Sequence, residues 1–337
     1  MPASEANQIT RRTALAVLGT SAIGIAFMHS SLATDDPLGT TLRTHLPKFS
    51  EESRTRLLRV IEDPDFRGAI PAKEVAALAK SENISVEALM LALLPLAQGY
   101  ARAPISNFFV GVVVRGASGK LYLGSNVEIP GQCLGFAVHA EQSALSKAYM
   151  NSEQWVTALA VIGGAPCGHC RQFMQEISPD GEMLILIPRK PPVKLSSILP
   201  DAFGPAALGA THGALPVATT KLESIAGTSE ALTAAALDAA RRSYAPYSKS
   251  PAGVAIRGSQ GRIYQGCYIE NVAFNPSLSP LQTALVQLIA AREPYTAISA
   301  VTLAEVQGAT ISQTSVTETV LASVAPQVKL EVVLART

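Results

Sequence analysis

Two stretches of this chain repeat each other about 140 residues apart, a period far too long for a solenoid. Arg115-Gly116-x-x-Gly119-x-x-Tyr122-x-Gly124 has its counterpart in Arg257-Gly258-x-x-Gly261-x-x-Tyr264-x-Gly266, and Glu128 falls opposite Glu270. A chain built this way folds as one domain made twice. The copies part company at one place. Ser279-Pro280-Leu281-Gln282 stands where the first copy has His139-Ala140-Glu141-Gln142.

Apolar periodicity gives the elements of the first copy. Residues 109–115 and 120–127 read as two strands around the hairpin turn Gly116-Ala117-Ser118-Gly119. Residues 139–150 read as a helix, 156–163 as a buried strand, 167–177 as a second helix and 183–187 as a further strand. The order β-β-α-β-α-β predicts an α/β fold, a mixed sheet sandwiched between helices, and the repeat predicts that it is duplicated. Upstream, Leu57, Leu58, Val60 and Ile61 form one apolar helix face, and residues 75–78 begin another beyond Pro71. Ser85 can cap a helix running through Leu91 and Leu94, with Glu87 favourably placed in its first turn. The expected organisation is a small helical domain at 34–84, a first copy at 85–208, a linker at 209–227 and a second copy at 228–337.

The N-terminus has two readings. Arg11-Arg12 precedes an apolar stretch, residues 14–28, and Ser31-Leu32-Ala33 offers small residues suited to cleavage. This resembles a twin-arginine export signal, although Ala14 stands where such signals favour Phe. The alternative for 1–33 is a disordered arm. The stretch is too short and too rich in Gly and Ser for stable membrane insertion.

The chain has four cysteines, too few for a disulfide framework. Only Cys167 and Cys170 have ligand spacing; Cys133 and Cys267 are expected to be buried thiols without a role. His139 and the pair Cys167/Cys170 offer zinc one nitrogen and two sulfurs. Two thiolates and a neutral imidazole cancel the charge of the ion. Three protein ligands leave a fourth position for water, the pattern of a catalytic site. His169 lies between the two cysteines, where its ring would not reach the same ion. A helix beginning near Cys167 aims its N–H groups at the sulfurs and stabilises them as thiolates. Zinc lowers the pKa of a bound water toward about 7. Glu141, two residues past His139, can flank the metal without ligating it and shuttle protons. The second copy has no His, Glu or Cys pair at these places, so the expected content is one Zn2+ per chain.

HxE followed by PCxxC is the known signature of zinc-dependent nucleobase deaminases. His139-Ala140-Glu141-Gln142-Ser143-Ala144 and Pro166-Cys167-Gly168-His169-Cys170-Arg171-Gln172-Phe173-Met174 closely resemble the cytidine deaminases, in particular their two-domain homodimeric branch. The resemblance runs from about Ser85 to the C-terminus and includes Asp201-Ala202-Phe203-Gly204-Pro205 and Tyr244-Ala245-Pro246-Tyr247-Ser248. It implies hydrolysis of free cytidine and 2′-deoxycytidine to uridine and 2′-deoxyuridine with release of ammonia, as in pyrimidine salvage. It implies that Glu141 is catalytic, that Asn126 and Glu128 hold the ribose hydroxyls and that Phe108 packs on the pyrimidine. It further implies that the main chain at Ala165 contacts the base and that Phe203 reaches the site of a partner subunit. Phe109 departs from the small or polar residue common beside Phe108. The resemblance implies a cytoplasmic enzyme; the twin-arginine-like segment implies a periplasmic one.

Three alternatives share parts of the pattern. A polynucleotide or tRNA deaminase would set Glu128 against a phosphodiester, and two like charges about 4 Å apart cost roughly 4 kcal/mol at an effective dielectric of 20. A formal net charge of +1 without a basic run, and 5% aromatic residues, also argue against a nucleic-acid groove. A zinc-stabilised binding protein without turnover leaves the complete first-copy motif unused. A thioredoxin-like role for Cys167 and Cys170 leaves His139 and Glu141 unexplained.

Overall fold

The computed structural model describes residues 37–225 and 230–336. Residues 1–33, with their two readings, lie outside the described residues. The chain begins with α1 (Pro37–His45), α2 (Glu51–Ile61), β1 (Ala69–Ile70) and α3 (Ala72–Glu82). The segment is mostly helical, as the periodicity predicts, and β1 adds an antiparallel edge strand to the first sheet.

The first copy follows as α4 (Val86–Gln98), β2 (Gly111–Gly116), β3 (Leu121–Ser125), α5 (Ala140–Met150), β4 (Val156–Ile162), α6 (Gly168–Ile177), β5 (Leu184–Leu186), β6 (Val193–Lys194) and α7 (Leu195–Ile198). Ser85 caps α4 by accepting from Ala88 N–H at 3.2 Å. The sheet order is β1-β3-β2-β4-β5-β6, with β4 and β5 parallel and the remaining pairs antiparallel.

The second copy comprises β7 (Glu223–Ser224), α8 (Ala231–Arg241), β8 (Ala252–Arg257), β9 (Ile263–Cys267), α9 (Pro280–Ala290), β10 (Ala300–Val306), α10 (Thr314–Val324) and β11 (Leu330–Arg336). Its sheet runs β7-β11-β10-β8-β9, again with one parallel pair, β10 and β11. Four strands of each sheet, β3-β2-β4-β5 and β9-β8-β10-β11, thus have the same order and sense. Within 209–227, the segment expected to link the copies, β7 pairs with β11 and Leu222 is buried.

The repeated glycines have a packing reason. A Cβ on Gly124 would overlap Ala140 O and Ala144 N of α5, and one on Gly266 would overlap Pro280 O and Ala284 N of α9. Only glycine lets these helices lie so close to their strands. Both helices are buried almost along their whole length, and they pack on each other at the centre of the molecule. One hydrophobic core runs through both copies, with a smaller cluster under α8. The body of α5 behind the HxE motif is therefore held by apolar packing.

Candidate active site

Two helix N-termini build the site. His139 is the N-cap residue of α5 and Cys167 that of α6. The strands that precede these helices, β3 and β4, both run antiparallel to β2 between them, so their C-terminal connections deliver both caps to the same end of the sheet. His139 Nδ1 lies 3.5 Å from Cys167 Sγ and 3.2 Å from Cys170 Sγ, and the two sulfurs are 3.5 Å apart. Tetrahedral zinc with bonds of about 2.0–2.3 Å places neighbouring donors about 3.5–3.8 Å apart. The three side chains are thus within a few tenths of an ångström of one face of that tetrahedron, and the donor set fits zinc. Among the described residues, His139, Cys167 and Cys170 are the one group of three or more potential ligands close enough to share an ion. His169 stacks on His139, ring centroids 4.9 Å apart, and is outside the donor group.

Hydrogen bonds from Cys170 and His139 pull the Cys167 thiol down to about 3, and the bond with Cys167 pushes Cys170 up. His139 is raised, chiefly by its bond with the Cys167 sulfur. Cys167 is exposed and Cys170 buried, so the group opens to solvent on one side. Glu141 is 5% exposed, and burial raises its pKa. An upward shift is the direction that general acid–base work asks of a carboxyl.

The segment around Phe108 is fixed by two polar side chains. Asn126 accepts from Val110 N–H at 2.9 Å and donates to Phe108 O at 2.8 Å. Glu128 accepts from the Ile105 and Ser106 N–H groups at 2.8 and 3.0 Å and from the Ser106 hydroxyl. Burial pushes the Glu128 carboxyl up, and the Ser106 hydroxyl with the two N–H groups outweighs it, so the net shift is downward. Each side chain keeps hydrogen-bonding capacity beyond these contacts. Glu270 makes the same set of bonds in the second copy, to Tyr247 N–H, Ser248 N–H and the Ser248 hydroxyl. The turn clamp therefore belongs to the duplicated fold, independently of the metal.

Phe108 is 54% exposed and Phe203 48%, so neither ring is core. Phe109 is also exposed, and its carbonyl accepts from Gln98 Nε2 at 2.7 Å. Phe203 sits on a loop tied to α6, its carbonyl accepting from Gln172 Nε2 at 2.7 Å. Ala165 is exposed in the turn between β4 and Cys167. Cys267 is buried as expected. Cys133 is exposed, contrary to the expectation of two buried thiols, because it lies in the irregular 129–137 connection and not in a strand or helix.

The periodicity gave no sign of a third set of contacts. Gln142, Gln172 and Glu176, on the two motif helices, are hydrogen-bonded to residues of the second copy. One signal was present in the sequence: Gln142 and Gln282 are retained at matching positions although the residues before them diverge.

Residues 84–185 match a family model described as the cytidine and deoxycytidylate deaminase zinc-binding region, and residues 195–318 match a second model of the same description. A curated cytidine deaminase from Vibrio parahaemolyticus is 40% identical over 288 residues, 86% of this chain and 97% of its own length. One from Pectobacterium atrosepticum is 42% identical over 271 residues, 78% of this chain and 88% of its own. With the His-Cys-Cys centre, the buried Glu141 and this coverage of both copies, the chain belongs to the cytidine deaminase family.

Proposed function

We propose that the protein is a zinc-dependent hydrolase that deaminates free cytidine and 2′-deoxycytidine. The observation that carries this reading is the three-donor face of His139, Cys167 and Cys170 with the buried carboxyl of Glu141 beside it. When bound, the ion supplies a Lewis acid that brings the pKa of a water toward about 7. Glu141 accepts a proton from the attacking water and delivers it to N3 of cytosine. Attack makes C4 tetrahedral. Glu141 then takes the second proton, from the new C4 hydroxyl, and delivers it to the exocyclic amine; the C4–N bond breaks, C4=O forms and ammonia leaves. Water is consumed and uridine formed, with no redox partner needed.

Phe108 is assigned the face of the pyrimidine, the main chain at Ala165 the base, and Asn126 with Glu128 the ribose hydroxyls. The exposure of Phe108 and the unused hydrogen-bonding capacity of Asn126 and Glu128 support these assignments. Phe203 is assigned to the site of a second copy in a homodimer; its bare ring supports that role. The second copy, lacking His, Glu and Cys at the motif positions, is assigned no metal.

The test is ammonia release from cytidine by protein carrying one zinc per chain. The reaction should stop with a chelator and return with zinc. A fully metallated protein inert on cytidine and deoxycytidine but active on single-stranded DNA would sink the nucleoside reading. Mixing Glu141→Ala and Phe203→Ala protomers should recover activity if Phe203 acts across a dimer, since one site of each mixed pair is then intact. No helix among the described residues is long and apolar enough to cross a membrane. The cytoplasmic assignment is tested by the mature N-terminus: Met1 or Pro2 in the cytoplasmic fraction supports it, and a periplasmic chain starting after Ala33 overturns it.

A further inference from the structure

The second copy, although emptied of metal ligands, is hydrogen-bonded to both helices that carry the chemistry, and one loop, 270–277, reaches both of them. Asn271 is fully buried. Its Nδ2 donates to Gln172 O of α6 at 2.9 Å, while its Oδ1 accepts from Ala273 N–H at 2.9 Å. The next residue, Val272, donates its N–H to Glu176 Oε2 at 2.8 Å. Glu176 is also fully buried, and its other oxygen accepts from Tyr244 OH at 2.7 Å and from Tyr247 OH at 2.5 Å. Further along the same loop, Pro276 O accepts from Gln142 Nε2 at 2.9 Å, one residue after Glu141 on α5. The same Gln142 accepts the N–H of His139 at 3.1 Å.

A buried amide and a buried carboxylate lower stability unless every polar atom is paired. An apolar contact would hold two packed helices more simply. The first copy's equivalent loop also reaches both helices of the second, with Gln132 Nε2 donating to Ser323 Oγ and Phe136 O accepting from Gln282 Nε2, each at 2.8 Å. But where the second copy has Asn271-Val272 it has Ile129-Pro130, which offer neither a side-chain amide nor a second N–H. What directed hydrogen bonds add is a fixed register and rotation of the helix they grip. The helices gripped here are the two whose first turns carry His139, Glu141, Cys167 and Cys170.

We propose that loop 270–277 of the second copy positions the reaction centre of the first, with Asn271, Glu176 and Gln142 as positioning residues that aim the zinc ligands and Glu141. The emptied copy is thereby a working part of the site. This rests on the deaminase reading, but its test has a readout that does not.

Asn271→Ala, Glu176→Ala and Glu176→Gln are prepared in the full chain with Co2+ in place of zinc. Visible absorption reports the ligand geometry and is independent of turnover. Asn271→Ala and Glu176→Ala should each keep one metal per chain, shift the cobalt bands and lower kcat on cytidine at least tenfold, with KM within threefold. Glu176→Gln keeps an acceptor for Val272 N–H and should return the spectrum and kcat to within threefold of the parent. Folded alanine variants with parental cobalt bands and kcat, and only a lowered Tm, overturn the proposal. If Asn271→Ala does not fold, Asn271→Asp, equal in size but without the donor to Gln172, is read in the same way. Failure of every alanine and aspartate variant to fold also overturns it, because the loop then merely holds the copies together. A parent inert on cytidine defeats the deaminase reading alone; shifted cobalt bands in the variants would still stand.

Discussion

Gln142 and Gln282 each donate into the other copy: Gln142 Nε2 to Pro276 O at 2.9 Å, and Gln282 Nε2 to Phe136 O at 2.8 Å. Each also accepts the N–H of its own helix cap, His139 or Ser279, at 3.1 Å. The pair is a reciprocal tie about the α5–α9 contact. Truncating either leaves a cap N–H and a carbonyl unpaired, Pro276 O buried and Phe136 O half-buried, which costs about 1–3 kcal/mol. Gln142→Ala and Gln282→Ala should therefore lose similar stability in urea unfolding. Their kinetics should differ. Only Gln142→Ala frees the backbone of His139, so it alone should lower kcat tenfold or more. Equal kinetic losses would mean that the tie serves the copies as a whole and not the centre.

Glu141 lies outside the metal's donor group. Glu141→Ala should keep one zinc per chain and lose turnover by several orders of magnitude, beyond the 10²–10⁴-fold typical of a lone general acid–base group, because one carboxyl serves several proton transfers. Metal content by atomic absorption and single-turnover assays check this together. Parallel loss of zinc and activity would make Glu141 a ligand.

The centre was legible because its geometry is local. HxE and CxxC each sit at a helix start, and a β-β-α-β-α-β order carries both starts to one end of the sheet. The repeat was legible because glycines such as Gly124 and Gly266 answer a packing demand that recurs. The grip of the second copy was not. Asn271 meets Gln172 across 99 residues and Val272 meets Glu176 across 96, separations that leave no period in the chain. Cys133 was misjudged for a related reason: in an irregular connection no alternation tells inside from outside. Strand β1, two residues long, is below the length at which alternation can be read.

Ser106 links two residues assigned to the nucleoside. Its hydroxyl donates to Glu128 and accepts from Phe108 N–H at 3.0 Å. Ser106→Ala should loosen both, raising KM for cytidine about tenfold with kcat within threefold, a loss of roughly 1.4 kcal/mol in binding. The Glu128 pKa should also rise, so the acid-side increase in KM should begin at higher pH. Ser248→Ala breaks the matching bond to Glu270 and should leave KM within threefold. A KM effect of the same size in both variants would assign the clamp to folding alone.

Lys147 is a buried lysine on α5, and burial lowers its pKa from 10.5 to about 7. Its Nζ donates to Leu123 O at 2.8 Å and Ser143 Oγ at 3.1 Å, and no carboxylate pairs with it among the described residues. The unfolded chain holds this proton up to pH 10.5, whereas the folded chain releases it near 7. Between those values the unfolded state binds more protons, so this group makes stability rise with pH. Below about pH 7 both states are charged and the penalty is constant, on the order of 5 kcal/mol. Lys147→Met, similar in length, removes the penalty but leaves Leu123 O without its donor, which costs about 1–3 kcal/mol. The variant should gain a few kcal/mol at pH 6 to 7, and the gain should shrink steadily toward pH 10. Urea titrations at three pH values measure it. A gain that does not change with pH would show that Lys147 titrates normally and that its burial is relieved in solution.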